Sequence, residues 1–280
     1  SLYGSGAVGG VVQILSAAGA GEGKATFFAE YGEEKTLRQG FLWRGPAGAG
    51  AASVALTRLE AGGRGPRDAY TGVNGQLHVE IPVGRERVRV TALATQGEKE
   101  LPYDFFFDAA DPTLSPFGSY KEIRDPNNHE KDRVIAGSAA YTRAITEHAS
   151  LEAELSGFAG MIQNQNPPNA PSTTDYQRTN LDNSRGLATL RARFTPMPSL
   201  QTVLGGEYRA EGVARLDDSN YGGFGSVTSV SEGVQSRALY AQTHAEARQR
   251  LLVDAGIRLE DHSRYGAYGV PRVALGVLLP

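Results

Sequence analysis

The chain has 280 residues, among them 35 Gly, 14 Pro and no Cys, and a formal net charge of −3. Charge so near balance, with both signs interspersed, leaves no basic footprint for nucleic acid, and the lack of cysteine removes disulfide frameworks, thiolate metal sites and cysteine nucleophiles. A mean hydropathy of −0.34 and the absence of any apolar run of ~18 residues exclude a membrane-spanning helix, but not a spanning strand, which needs only ~9–11 residues that are apolar at alternate positions.

From Lys24 onward the sequence falls into segments of about ten residues with period-2 alternation, the mark of strands. They run over 23–31, 35–44, 49–60, 73–81, 86–96, 133–143, 148–159, 184–195, 199–211, 234–246, 251–262 and 270–279. In the clearest, Leu251, Val253, Ala255, Ile257 and Leu259 oppose Leu252, Asp254, Gly256, Arg258 and Glu260. The same split sets Leu77, Val79 and Ile81 against Gln76, His78 and Glu80, and sets Leu239, Ala241 and Ala245 against Tyr240, Gln242, His244 and Glu246. Soluble sandwiches alternate too, so the connections carry more weight. Those at 45–48, 82–85, 144–147, 196–198 and 247–250 are short, whereas 61–72, 97–132, 160–183 and 212–233 are long and all fall on the opposite edge, with 32–34 and 263–269. Tight turns on one rim and long loops on the other fit a transmembrane barrel meander, and loops beyond ~15 residues are uncommon in compact soluble domains. Phe41, Phe158 and Tyr208 are placed near the long-loop rim, and Trp43 and Phe194 near the short turns, as two aromatic girdles would be.

At the start of the chain, Gly4-Ser5-Gly6-Ala7-Val8-Gly9 matches the spacing of a pyrophosphate-binding turn. That chemistry needs a preceding strand and a following helix; here three residues precede it, and the strand-like Gly10-Val11-Val12-Gln13-Ile14 follows. Taken whole, the run from Ser1 through Tyr3, Gly4, Gly6, Gly9 and Gly10 to Ile14 resembles the last part of the plug domain of TonB-dependent outer-membrane receptors. The resemblance covers 14 of 280 residues and lies where that family places it, about ten residues before the alternation begins. It implies a barrel of ~22 strands around a plug, energy delivered through TonB, and ligand capture by extracellular loops and plug apices. The larger part of the plug, with the segment that meets TonB, precedes this motif in the family, only about half of the strands are present, and Pro280 falls inside a strand. The expectation is therefore a piece of a longer receptor, because an open sheet would leave unpaired backbone edges in lipid. A closed barrel of about twelve strands is the alternative, with little room for a plug.

Within 97–132, Tyr103, Phe105, Phe106, Phe107, Phe117 and Tyr120 form an aromatic cluster beside Asp104, Asp108 and Asp111. It reads as a ligand-catching lid, or as the small core that a long loop needs to stay ordered. The oxygen-rich run Asp125 to Asp132 lacks the glycine and glutamate spacing of a calcium loop and reads as a solvated turn. Segments 164–171 and 217–229 read as mobile extracellular loop tips. The five histidines include no i,i+4 metal pair, and there is no Gly-x-Ser-x-Gly elbow. Lumen-facing Glu152, Glu154, Arg191, Arg193, Asp254 and Arg258 are expected to pair with one another or with the plug.

The fold expected is all-β: an antiparallel up-and-down transmembrane β-barrel, represented by about 11–12 strands over 23–280, after the end of a plug at 1–16 and a linker at 17–22. The function implied is energised uptake of a scarce solute such as a ferric siderophore or cobalamin, in the bacterial outer membrane. The partners implied are TonB, a metal chelate or corrinoid, and outer-membrane lipid; no catalytic residue, metal ligand or cofactor is assigned. Two other classes stand beside it. An outer-membrane barrel hydrolase would need a His beside a Ser or carboxylate on neighbouring strands, and a secreted β-sandwich binding module would bury its apolar faces against a second sheet.

Overall fold

A computed structural model of the chain describes residues 22–63, 68–101, 103–108, 119–124, 127–168, 176–221, 223–247 and 250–277. The strands are β1 (Lys24–Gly32), β2 (Thr36–Ala47), β3 (Gly50–Ala61), β4 (Tyr70–Val83), β5 (Glu86–Glu100), β6 (Tyr103–Asp108), β7 (Ser119–Arg124), β8 (His129–Ala144), β9 (Ala149–Asn166), β10 (Tyr176–Met197), β11 (Leu200–Tyr221), β12 (Phe224–Ala247), β13 (Leu251–His262) and β14 (Gly266–Val277). Twelve of them form one antiparallel sheet in chain order, interrupted only by β6 and β7, which pair with each other as a separate hairpin between β5 and β8. No second sheet of comparable size is present among the described residues, so the sandwich reading is overturned. Nor do β1 and β14 pair with each other, which overturns closure at twelve strands for the described residues. Within β14, Pro271 registers with Ile257 of β13 and brings no N–H to the ladder.

Turns close one rim tightly. Gly48 and Gly84 open the two-residue connections β2–β3 and β4–β5 with φ of 61° and 62°. A left-handed first turn residue matches the strand twist and is cheap only for glycine. The opposite rim differs from expectation. The segment 160–183 is largely strand, since β9 reaches Asn166 and β10 begins at Tyr176. Segment 212–233 is a hairpin in which Tyr221 pairs Phe224, so the loop tip placed at 217–229 is two paired strands. Strands of 18, 22, 22 and 24 residues result. Even tilted by ~45°, the longest would run about twice the height of the ~25 Å apolar band of an outer-membrane barrel.

Alternation sorts the two faces. One carries the exposed large apolar side chains, including Leu77, Leu155, Leu190, Leu239, Ile257 and Leu259. The other curves around a cavity of about 1310 Å³ lined from eight strands, β1 to β5 and β8 to β10. The expected aromatic girdles are only partly seen: Phe158 lines the cavity, with β9 continuing eight residues past it, and Phe41 stacks on Phe27 at 4.8 Å between ring centroids, midway along β1 and β2. Trp43 pairs Val54 four residues from the β2–β3 turn, and Phe194 is exposed near the β10–β11 turn.

Candidate functional site on the inner wall and rim

Because strands register residue against residue, inward positions line up in rows across the sheet. On β9 to β13 these rows carry an ionic ladder in two groups, one on β9 and β10 and one on β11 and β13. Glu152 pairs with Arg191 in register, Arg191 with Gly205, Gly205 with Tyr240 and Tyr240 with Arg258. Arg191 Nη2 reaches Glu152 at 3.1 Å and Glu154 at 2.5 Å. Arg258 Nη2 donates to Glu207 Oε1 at 3.0 Å, and Arg258 Nε donates to Glu260 Oε2 at 2.8 Å. Arg209 Nη2 shares Glu207 Oε1 at 2.8 Å. Arg258 is only 1% exposed and Glu260 3%. Charges so buried persist only when paired and hydrogen-bonded, and Tyr240 covers the guanidinium with its ring centroid 5.9 Å from Cζ. The Tyr240 ring in turn occupies the space above Gly205, where a Cβ would collide with it.

Of the inward charges named from sequence, Glu152, Glu154, Arg191 and Arg258 thus pair with one another or with Glu207 and Glu260, Asp254 pairs with His244 at 3.0 Å, and Arg193 has no ion pair among the described residues. That last pair is a His beside a carboxylate on neighbouring strands, but it sits near the short-turn end with Gln201 as its other cross-strand neighbour. A barrel hydrolase would work at the opposite rim. No group of three or more His, Asp or Glu disposed to hold a metal ion occurs among the described residues.

The aromatic cluster is placed by the hairpin. Tyr103, Phe105, Phe106 and Phe107 lie on β6 and Tyr120 on β7, with Phe107 paired to Tyr120, Phe106 to Lys121 and Phe105 to Glu122. What read as one long loop is therefore an extra hairpin inserted on the long-strand rim between β5 and β8. Its base is tied in, since Leu101 N donates to Asn128 O at 2.9 Å and Asn127 Nδ2 to Pro168 O at 3.3 Å. Phe117, and Tyr3, Gly4, Gly6, Gly9 and Gly10 of the plug motif, lie outside the described residues.

Sequence reading passed over the inner row on β1 to β8, in which Lys24 faces Arg44, Arg44 faces Ser53, Ser53 faces His78, His78 faces Thr91 and Thr91 faces Ser138. Alternation puts each of these on the polar face, yet only the strand register shows that they adjoin.

One antiparallel meander with apolar side chains outside and an ionic wall inside is part of a β-barrel, and its fold is that of TonB-dependent receptors. The siderophore receptor PiuA from Acinetobacter baumannii matches with a TM-score of 0.66 at 13% identity, over 94% of this chain and 47% of PiuA. The ferric preacinetobactin receptor BauA from the same organism matches with a TM-score of 0.67 at 10% identity, over 93% of this chain and 46% of BauA. The RagAB peptide transporter matches with a TM-score of 0.62 at 12% identity, over 85% of this chain and 33% of that one. The chain thus spans half or less of the solved proteins it resembles, and identities this low carry the fold alone. No family model and no curated protein matches the sequence.

Proposed function

We propose that the chain is part of a TonB-dependent outer-membrane receptor that takes up a scarce solute, with residues 1–16 as the end of a plug, 17–22 as a linker and 23–280 as barrel wall. The observation that carries this reading is the two-faced register of a single sheet: exposed apolar side chains on one face, and on the other an ionic ladder with a buried Arg258. Such a wall is stable with lipid outside and a polar filling inside, and unstable the other way round. The plug-like run before β1 and the resemblance to receptors of half-matching length support it. On this reading the protein is a transporter and not an enzyme, TonB supplies the energy, and a ferric siderophore or a cobalamin-like solute is the cargo. The β6–β7 hairpin carries Tyr103, Phe105, Phe106, Phe107 and Tyr120 in its sequence, and these, with Phe117, are the residues proposed to stack on a chelate.

The test is binding and uptake by the gene product that carries this chain, against a panel of ferric siderophores and corrinoids, with and without residues 103–124. Saturable binding of one class, lost with the hairpin, supports both the receptor and its trap. No binding or uptake across the panel, or across a second panel of peptides and oligosaccharides, refutes the transporter.

A further inference from the structure

The inner wall is not uniform in charge. On β9 to β13 each principal cation of the ladder has a carboxylate partner. On β1 to β5 the cations Lys24, Arg44 and Arg89 all line the 1310 Å³ cavity, and no carboxylate lines it with them. Glu80 lies opposite Arg89 in the register but is engaged by Arg87 at 3.2 Å. Beside these cations the row offers hydroxyls, with Thr91 Oγ1 and Ser138 Oγ bonded to each other at 2.6 Å.

His78 stands at the centre of the row. It is 5% exposed and lines the cavity, yet neither Nδ1 nor Nε2 has a hydrogen-bond partner among the described residues. A buried ring with both nitrogens unsatisfied is costly, and native structures rarely keep one without a use. The 21 residues before Glu22 contain no Asp or Glu, so that segment brings no side-chain counter-charge. Arg44 and Arg89 sit four positions from the short turns and His78 six, so the trough lies deep in the lumen, away from the β6–β7 hairpin.

We infer that this trough, centred on Arg44, His78 and Arg89, binds a small polyanion through its oxyanion groups, carboxylate or phosphate, as a station on the route of the cargo. The route rests on the transporter reading; the site itself does not. Guanidinium forks from Arg44 and Arg89 accept an oxyanion in a bidentate manner, while His78 and the row hydroxyls supply the remaining donors.

The experiment is calorimetric titration of the purified protein in detergent at low salt, with citrate and inorganic phosphate as separate probes. Saturable binding of either is expected, and the tighter of the two names the oxyanion. Arg44→Gln, Arg89→Gln and His78→Gln should each weaken it about tenfold, whereas Arg264→Gln, at the β13–β14 turn, should leave it unchanged. Since removal of a cation also alters the wall, Ser53→Asp provides the second variant: it places a carboxylate between Arg44 and His78 and should abolish binding while circular dichroism still reports the sheet. No binding of either probe overturns the site, as does equal loss in Arg264→Gln or full binding by Ser53→Asp. Uptake of the panel solutes by cells is scored apart: probe binding with no uptake of any panel solute keeps the site and sinks the transporter, and uptake of a panel solute without probe binding sinks the site alone.

Discussion

Arg258 shows what a single position on this wall has to satisfy. Its guanidinium is almost wholly removed from water and bonded to Glu207 and Glu260 under the ring of Tyr240. Desolvating a charge costs several kcal/mol, and only the paired geometry offsets it, so removing one partner leaves the penalty standing on the others. Arg258→Met deprives two buried carboxylates of their shared cation and should cost about 3–5 kcal/mol in urea unfolding from detergent. Arg38→Gln removes an exposed pair with Glu30 at 3.4 Å and should cost less than about 1 kcal/mol. Equal, small losses for the two would mean that water reaches Arg258. In the sequence, Arg258 was already on the polar face of the most regular alternation, and pairing with other lumen charges was expected. Its partners Glu207 and Tyr240 lie 51 and 18 positions away, and only register joins them.

At the scale of elements, the short turns were readable, because tight hairpins demand particular backbone signs and glycine supplies them at 48 and 84. The long rim was misread. Segments such as Asp217 to Ser229 carry Gly, Asn, Asp and Ser, which favour turns when judged locally, yet here the residues from Asp217 to Tyr221 and from Phe224 to Ser229 find cross-strand partners in a preformed ladder. Ion and hydroxyl contacts support the extension. Asp217 accepts from Arg215 Nε at 2.6 Å and from Thr179 Oγ1 at 2.8 Å, and these donors, Arg215 first, hold its carboxyl below the ordinary value of 3.8. A carboxyl lowered on folding adds stability that is present above the unfolded value and is lost as pH falls through the folded one. The outer half of β10 and β11 should therefore hold above the ordinary carboxyl value and loosen as pH falls through the lowered one. Amide exchange over 176–181 and 215–220 reads this, with protection falling relative to the Asp217→Asn protein. Equal pH responses in the two proteins would remove Asp217 as the cause.

For the whole molecule, the decisive feature is an apolar surface with nothing packed on it among the described residues. Leu155 is 66% and Leu239 67% exposed on the outer face, mid-strand on β9 and β12. In water such a band would drive association; in the proposed receptor it would face the bilayer. Leu155→Arg should cost about 2–4 kcal/mol in the equilibrium between folded, vesicle-inserted protein and the unfolded chain. The same change at inward Ser156 should cost far less, since a lumen position is wet. Equal penalties at 155 and 156 would mean that both faces are dry and would overturn the barrel.

By itself the sequence determined the class, an all-β meander with one greasy and one polar face, because the side-chain period of a strand is a local property of the backbone. It also determined which rim turns tightly. Which residues share a row was decided only by the tertiary structure, since pairing of distant segments sets register. That is why Lys24, Arg44 and His78 were visible one at a time but not as a site. The lengthening of β9 to β12 and the hairpin β6–β7 were likewise decided there, because neighbouring strands satisfy backbone groups that local composition would have left to water.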